Sequence, residues 1–132
     1  MMTTSTFTPF LYSTMKKDFT EWISRQKAKE LSSTVLNNRN DHYENCLVQE
    51  LCLTSLNVTN AIAEWFDQPG KTELICSLRE AKTLLSRFRS LTSVAQSCQL
   101  LDRKTSDQWI DSSVGISKLI GGFMKKMTEQ QN

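Results

Sequence analysis

The fold is decided by residues 67–91, whose sequence is DQPGKTELICSLREAKTLLSRFRSL. Its first four residues are typical of a tight turn, and no helix is expected to cross them. The residues that follow place an apolar side chain every three or four positions, as a helix with one buried face requires: Leu74, Leu78, Ala81, Leu85, Phe88 and Leu91. This stretch therefore predicts a turn followed by a long amphipathic helix.

The same periodicity continues on both sides of that helix. It predicts four helices, at about residues 8–36, 41–66, 72–96 and 105–127. Residues suited to capping the helix starts are Thr8 followed by Pro9, Asp41 with Glu44, Thr72, and either Thr105 or Ser106. Only four glycines and two prolines interrupt the chain. No strand is needed anywhere.

These four helices predict an all-α protein. At 132 residues the chain is long enough for one core and short for two, so we expect a single domain over residues 1–132. Helices of similar length, each roughly 30 to 40 Å, pack naturally as an up-down-up-down four-helix bundle.

Charge is distributed unevenly along the chain. Residues 1–39 carry six basic and three acidic side chains, residues 40–70 carry none and five, and residues 71–132 carry ten and six. An acidic stretch between two basic ones could favour head-to-tail subunit contacts in an oligomer, or could only place carboxylates on one solvated face.

The sequence offers little for catalysis or metal binding. Its cysteines, Cys46, Cys52, Cys76 and Cys98, form no CxxC pair, and His42 is its single histidine. No glycine-rich loop precedes a helix to hold a phosphate, and His42 has no nucleophile at a recognisable spacing. We therefore expect a non-catalytic protein without metal or cofactor.

Membrane insertion and export are not indicated. No eighteen apolar residues occur together, and the first fourteen residues lack an early positive charge followed by an apolar run. A cytoplasmic protein with reduced thiols is the expectation.

Basic residues are concentrated on the last two helices, where they could meet nucleic-acid phosphates. Arg79, Lys82 and Arg89 follow one another at spacings of three and seven, which places them on a shared helix face. The candidate nucleic-acid-binding residues are Arg79, Lys82, Arg87, Arg89, Lys118, Lys125 and Lys126. The alternative is that these charges are simply solvated, with Glu80 and Asp107 as local partners.

A second candidate set concerns helix packing. Gly121 and Gly122 lie inside the last predicted helix, where each costs roughly 1 kcal/mol relative to alanine. Close approach of another helix, from the same bundle or another subunit, would offset that cost; a simple kink is the alternative. With Trp109 and Phe123, these glycines are the predicted packing or subunit-interface residues.

Residues 78–127 carry a family resemblance, concentrated in the segment Ile116 to Phe123, ISKLIGGF. This part of the chain resembles the four-helix-bundle family that contains the accessory variability protein, Avd, of diversity-generating retroelements and the proteins encoded in 23S rRNA intervening sequences. The sequence departs from the family pattern at Ser117, where glycine is common, at Lys118, where arginine is common, and at Phe123, where tryptophan is common.

The resemblance implies a homopentameric barrel whose basic surface binds reverse transcriptase and template RNA or DNA during mutagenic retrohoming. Lys118 matches a basic position of the family, whereas the other cations are inferred from helical geometry alone. Two alternatives stay open. One is an rRNA intervening-sequence-type protein without a polymerase partner, and the other is an oligomeric module that binds only protein.

Overall fold

The computed structural model describes the backbone of residues 4–38, 42 and 44–129, and the side chains of residues 20–38, 42, 44–65 and 67–129. The four helices are α1 (Thr4–Asn37), α2 (Cys46–Glu64), α3 (Lys71–Ser97) and α4 (Arg103–Glu129), and a 3₁₀ turn, Trp65–Asp67, follows α2. The described residues contain no strand. The expectation of an all-α fold with four helices is confirmed.

Each helix packs against the next, and α1 also packs against α4, which closes a four-helix bundle. Arg25 donates to the carbonyl of Ala63 at 2.9 Å, while Ser32, later in α1, donates to the carbonyl of Ser55 at 2.8 Å. Later residues of α1 thus contact earlier residues of α2, so the two helices are antiparallel.

The contact between α1 and α2 is unusually polar. The Ser32 and Thr59 hydroxyls lie 2.6 Å apart, and Thr59 also donates toward the carbonyl of Ala28 at 3.1 Å. Ala28 and Ser32 are both buried, one turn apart on α1. Small side chains let the two backbones approach closely enough for these hydroxyls to bridge them.

Apolar side chains from all four helices form the core between them. The largest fully buried ones are Trp65, Phe88, Ile62, Leu78, Leu85, Ile116, Ile120 and Val58. Trp109 is 4 % exposed, whereas Trp22 on α1 is 60 % exposed. The apolar periodicity of α2, α3 and α4 therefore identified the core, and Trp22 is the tryptophan that lies outside it.

Two helices start at caps that differ from the predicted ones. The side chain of Asn45 accepts the backbone N–H groups of Leu47 at 2.8 Å and Val48 at 3.4 Å, so α2 begins at Cys46. Its predicted start near Asp41 is wrong, because Asn45 already satisfies the free N–H groups of the first turn. Asp41 itself lies outside the described residues.

The start of α4 is set by Asp102. A carboxylate oxygen of Asp102 accepts the Thr105 N–H at 2.6 Å, and α4 begins at Arg103. This bond to the Thr105 backbone lowers the pKa of Asp102 from its ordinary value of 3.8. The predicted start at Thr105 or Ser106 is wrong because aspartate is as good an N-cap as serine and lies earlier in the chain.

The starts of α3 and α1 are earlier than predicted, like that of α4 and unlike that of α2. The α3 helix begins at Lys71 after Gly70, and no side chain caps it, so the predicted cap at Thr72 is wrong. The helix α1 begins at Thr4 and contains both Thr8 and Pro9. The predicted start at Thr8 is therefore wrong, and Pro9 lies in the second turn of α1 and not at its first position.

The connection between α3 and α4 contains one residue in the left-handed region. Gln99 has a φ of 65°, and the Leu100 N–H reaches back to the carbonyl of Ala95 at 2.9 Å. This bond and the bond from the Cys98 N–H to the carbonyl of Val94 satisfy two of the carbonyls in the last turn of α3. Among the described helices, none is both long and apolar enough to cross a lipid bilayer.

Candidate nucleic-acid interface

The helices α3 and α4 lie antiparallel, and their register decides which predicted cations meet. The hydroxyl of Ser113, a fully buried side chain of α4, donates to the carbonyl of Leu85 on α3 at 3.3 Å. Further along α4, at Gly121, an added Cβ atom would lie 3.3 Å from the ammonium nitrogen of Lys82 on α3. Lys82 thus crosses the seam between the two helices.

Arg89 is held in the same seam by three serine hydroxyls. Its Nη1 donates to Ser113 at 2.9 Å and to Ser117 at 3.3 Å, and its Nη2 donates to Ser86 at 3.0 Å. The Arg89 side chain is only partly exposed. A guanidinium that usually moves in solvent is therefore fixed in one orientation.

A cleft of about 290 Å³ opens along this seam. We call it the seam cleft, and the residues that line it are Lys82, Arg89, Val114, Ser117, Lys118, Gly121 and Gly122. Three of the seven lining residues are cationic and none is acidic. The seam cleft is therefore a concentrated positive site.

The other predicted cations lie outside the seam cleft. Arg79, Lys125 and Lys126 are exposed on the same two helices and are not among the lining residues. Arg87 is also exposed, but two residues from Arg89 correspond to about 200° around the helix, so it faces away from the seam. The structure thus brings together Lys82, Arg89 and Lys118 and leaves the rest dispersed.

None of these seven cations has an acidic partner among the described side chains. Among the described residues, an ion pair joins Glu21 to Arg25 at 2.6 Å on α1, and it involves none of the seven cations. Glu80 and Asp107, the partners considered from sequence, make no ion pair with the candidate cations. Their positive charge is therefore available to an external anion.

The four predicted packing residues lie in different environments. Trp109 is buried, with its ring centroid 6.2 Å from that of Phe88, and Phe123 meets Trp65 edge-on at 4.8 Å. Gly121 lies under Lys82, whereas Gly122 is exposed and a Cβ there would meet nothing within 4 Å. In the single chain, no helix presses against Gly122.

Sequence reasoning missed the serines that hold Arg89. Ser113 and Ser117 are four residues apart, and Ser113 interrupts the apolar stripe of α4 between Trp109 and Ile116. A polar residue at a core position needs a partner, and that signal could have pointed to Arg89. Ser86 carries no comparable signal, because it lies on the exposed side of α3.

Side chains of the types that bind metals do not cluster in the described part of the chain. No group of three or more His, Cys, Asp or Glu side chains there could hold an ion. None of the four cysteines forms a disulfide bond; Cys52 is buried, and Cys46, Cys76 and Cys98 are exposed. His42 is exposed near the end of α1.

The fold and the seam together define a helical-bundle protein with a basic cleft. No family model matches the sequence, and a search of curated proteins also finds no match. A solved structure shares the fold: a protein of unknown function from the S23 ribosomal protein family of Bacteroides thetaiotaomicron VPI-5482, determined at 1.70 Å.

That structure superposes on this chain with a TM-score of 0.76 and 14 % sequence identity. The match covers 80 % of this chain and 98 % of the other. At this identity the likeness establishes a fold like that of the S23 ribosomal protein family. A closer relation to Avd proteins stays a prediction.

Proposed function

We propose that this chain is a non-catalytic accessory protein that binds RNA through the phosphates of its backbone. The observation that carries the proposal is the seam cleft, where Lys82, Arg89 and Lys118 converge without an acidic neighbour. Each lysine or arginine that meets a phosphate releases counterions, so such a surface binds nucleic acid in a salt-dependent way.

The net charge of the whole chain is only +2, so attraction depends on local concentration of charge. The described acidic side chains of residues 40–70 are Glu44, Glu50, Glu64 and Asp67, and they lie on and next to α2, while the cleft belongs to α3 and α4. Assembly of several copies would repeat the cleft and strengthen binding through avidity.

The finer form of the proposal is an accessory role in a diversity-generating retroelement. It is supported by the resemblance of Ile116 to Phe123 to the Avd motif, with Lys118 at a basic family position. The partners would be a reverse transcriptase and its template RNA or DNA, and the assembly a homopentamer of about 75 kDa. A reverse-transcriptase gene and a variable repeat beside this gene would support that form, and an rRNA operon would favour the intervening-sequence alternative.

A gel mobility-shift titration with a structured RNA hairpin tests the RNA-binding proposal. We expect retention at low salt that is lost in the double variant Arg79→Glu with Lys82→Glu. Arg87→Glu and the single variant Lys82→Glu each reverse one charge, so they form a matched pair; Arg87 lies on the far side of α3, and its variant should bind nearly as wild type while Lys82→Glu binds more weakly. Absence of retention at low salt, or equal binding by the wild type and all the variants, contradicts the proposal and favours a module that binds only protein.

A further inference from the structure

Arg89 differs from the other cations of α3 and α4 in how it is held. Three hydrogen bonds to Ser86, Ser113 and Ser117 fix its guanidinium, whereas the Arg79 side chain is exposed and makes no hydrogen bond or ion pair within the described residues. Fixing an arginine side chain costs conformational entropy that an exposed cation on a solvated face does not lose. A fixed guanidinium is what a specific anion site requires, because the ordering cost is met before the ligand arrives.

The hydrogen-bond partners of Arg89 do not neutralise its positive charge. All three are neutral hydroxyls, so no carboxylate compensates the guanidinium. A guanidinium has five N–H donors. Three of the Arg89 donors bond to the serine hydroxyls, which leaves two N–H groups for a ligand. Arginine geometry suits a phosphate, whose oxygens accept two parallel N–H groups.

Ser117 supplies a further donor in the seam cleft. Its oxygen accepts from Arg89, and within the described residues its own O–H donates to no other group. The Ser113 hydroxyl is different, because it donates to the carbonyl of Leu85. Ser117 can therefore donate to a ligand beside Arg89, while Ser113 only orients the guanidinium.

The glycines of α4 keep the cleft open above these donors. A side chain at Gly121 would come within 3.3 Å of the Lys82 ammonium, and Gly122 has open space around its Cα. The Lys82 and Lys118 ammonium groups line the same cleft. Bare backbone at Gly121 and Gly122 thus leaves room for an anion between the two lysines.

We infer that the seam cleft is a seat for one phosphate group, bound by Arg89 and Ser117 and flanked by the ammonium groups of Lys82 and Lys118. This inference rests on the proposed function and assigns one specific contact within the wider electrostatic surface. The phosphate is either an internal phosphodiester of RNA or a terminal or free phosphate.

The substitution Arg89→Lys separates a specific seat from general attraction, because it keeps the charge and removes the planar fork and its serine bonds. We expect it to weaken RNA binding by about tenfold with a nearly unchanged salt dependence. Arg79→Lys is the matched control and should stay within about twofold of wild type. Ser117→Ala, which removes a small partly exposed hydroxyl, provides a second test of RNA affinity if Arg89→Lys does not fold.

Two further arms distinguish the sources of the phosphate. The same RNA with and without a 5′-phosphate shows whether a terminal group is needed, and inorganic phosphate alone is titrated while the Arg89 Nε resonance is followed. Loss of affinity without the 5′-phosphate assigns a terminal group, and unchanged affinity assigns an internal phosphodiester.

If RNA binds and neither Arg89→Lys nor Ser117→Ala is weaker than Arg79→Lys, the phosphate seat is refuted while RNA binding stands. If inorganic phosphate shifts Arg89 but RNA is not retained, the seat stands and the proposed function fails. If neither RNA nor phosphate is bound, both are refuted.

Discussion

The Arg89 guanidinium on α3 donates to the Ser113 hydroxyl on α4 at 2.9 Å. The Ser113 hydroxyl in turn donates to the carbonyl of Leu85 on α3. This relay joins the two helices at the position where the seam cleft begins. It links the packing of the bundle to the orientation of a surface cation.

Replacing Ser113 with alanine should therefore loosen the α3–α4 contact. We expect Ser113→Ala to lower the free energy of unfolding by about 1 kcal/mol, since it removes hydrogen bonds without a large change in volume. Urea denaturation followed by circular dichroism measures this. Ser112→Ala is the matched control, because the Ser112 hydroxyl is exposed and makes no hydrogen bond among the described residues, and its effect should be below about 0.5 kcal/mol. Equal effects of the two substitutions would show that the relay does not stabilise the bundle.

The polar contact between α1 and α2 gives a second stability prediction. Ser32→Ala removes the bonds to Thr59 and to the carbonyl of Ser55 in a buried site. We expect a loss of roughly 1 to 2 kcal/mol in the same denaturation experiment. Ser33→Ala, one residue away on the exposed face, should have little effect. A Ser32→Ala variant as stable as wild type would contradict the assigned role.

Gln99 should be a site where glycine stabilises the protein. Its φ of 65° lies in the left-handed region, where a Cβ is unfavourable and glycine is preferred at helix ends. We expect Gln99→Gly to raise the free energy of unfolding by up to about 1 kcal/mol. Ser97→Gly, at the last residue of α3, should lower it, because helical residues lose stability on change to glycine. A destabilising Gln99→Gly would contradict the left-handed conformation of Gln99 between α3 and α4.

Asp102 predicts how stability depends on pH. Its pKa is lowered in the folded chain by the bond to the Thr105 N–H, so its contribution is fully present above the ordinary value of 3.8. That contribution is lost as the pH falls through the lower pKa of the folded state. Asp102→Asn keeps a neutral cap and cannot titrate. We expect the thermal midpoint of the wild type to fall more than that of Asp102→Asn on acidification below pH 3.8, and parallel curves would contradict this.

The sequence predicted the helices because their apolar stripes are regular, as at Leu78, Leu85 and Phe88. It predicted the starts of α2 and α4 poorly, because several polar residues near each start can accept the same backbone N–H groups. Only the three-dimensional chain selects Asn45 and Asp102 among them.

The candidate site was predicted by residue type and not by arrangement. Helical spacing placed Lys82 and Arg89 on one face, but which α4 residues meet them depends on the register between two helices. That register sets Lys82 over Gly121 and Arg89 beside Ser113 and Ser117. Arg87 could have been set aside from sequence, since about 200° of helix rotation separates it from Arg89.

The central claim is that cations of the seam cleft contact RNA phosphates directly. The most direct test is the dependence of RNA affinity on salt, measured between about 50 and 200 mM for wild type and for Lys82→Ala with Lys118→Ala. We predict that affinity falls steeply with salt in the wild type, and that the double variant loses about one unit of the logarithmic slope for each lysine removed. A slope that is the same in both proteins would contradict the claim.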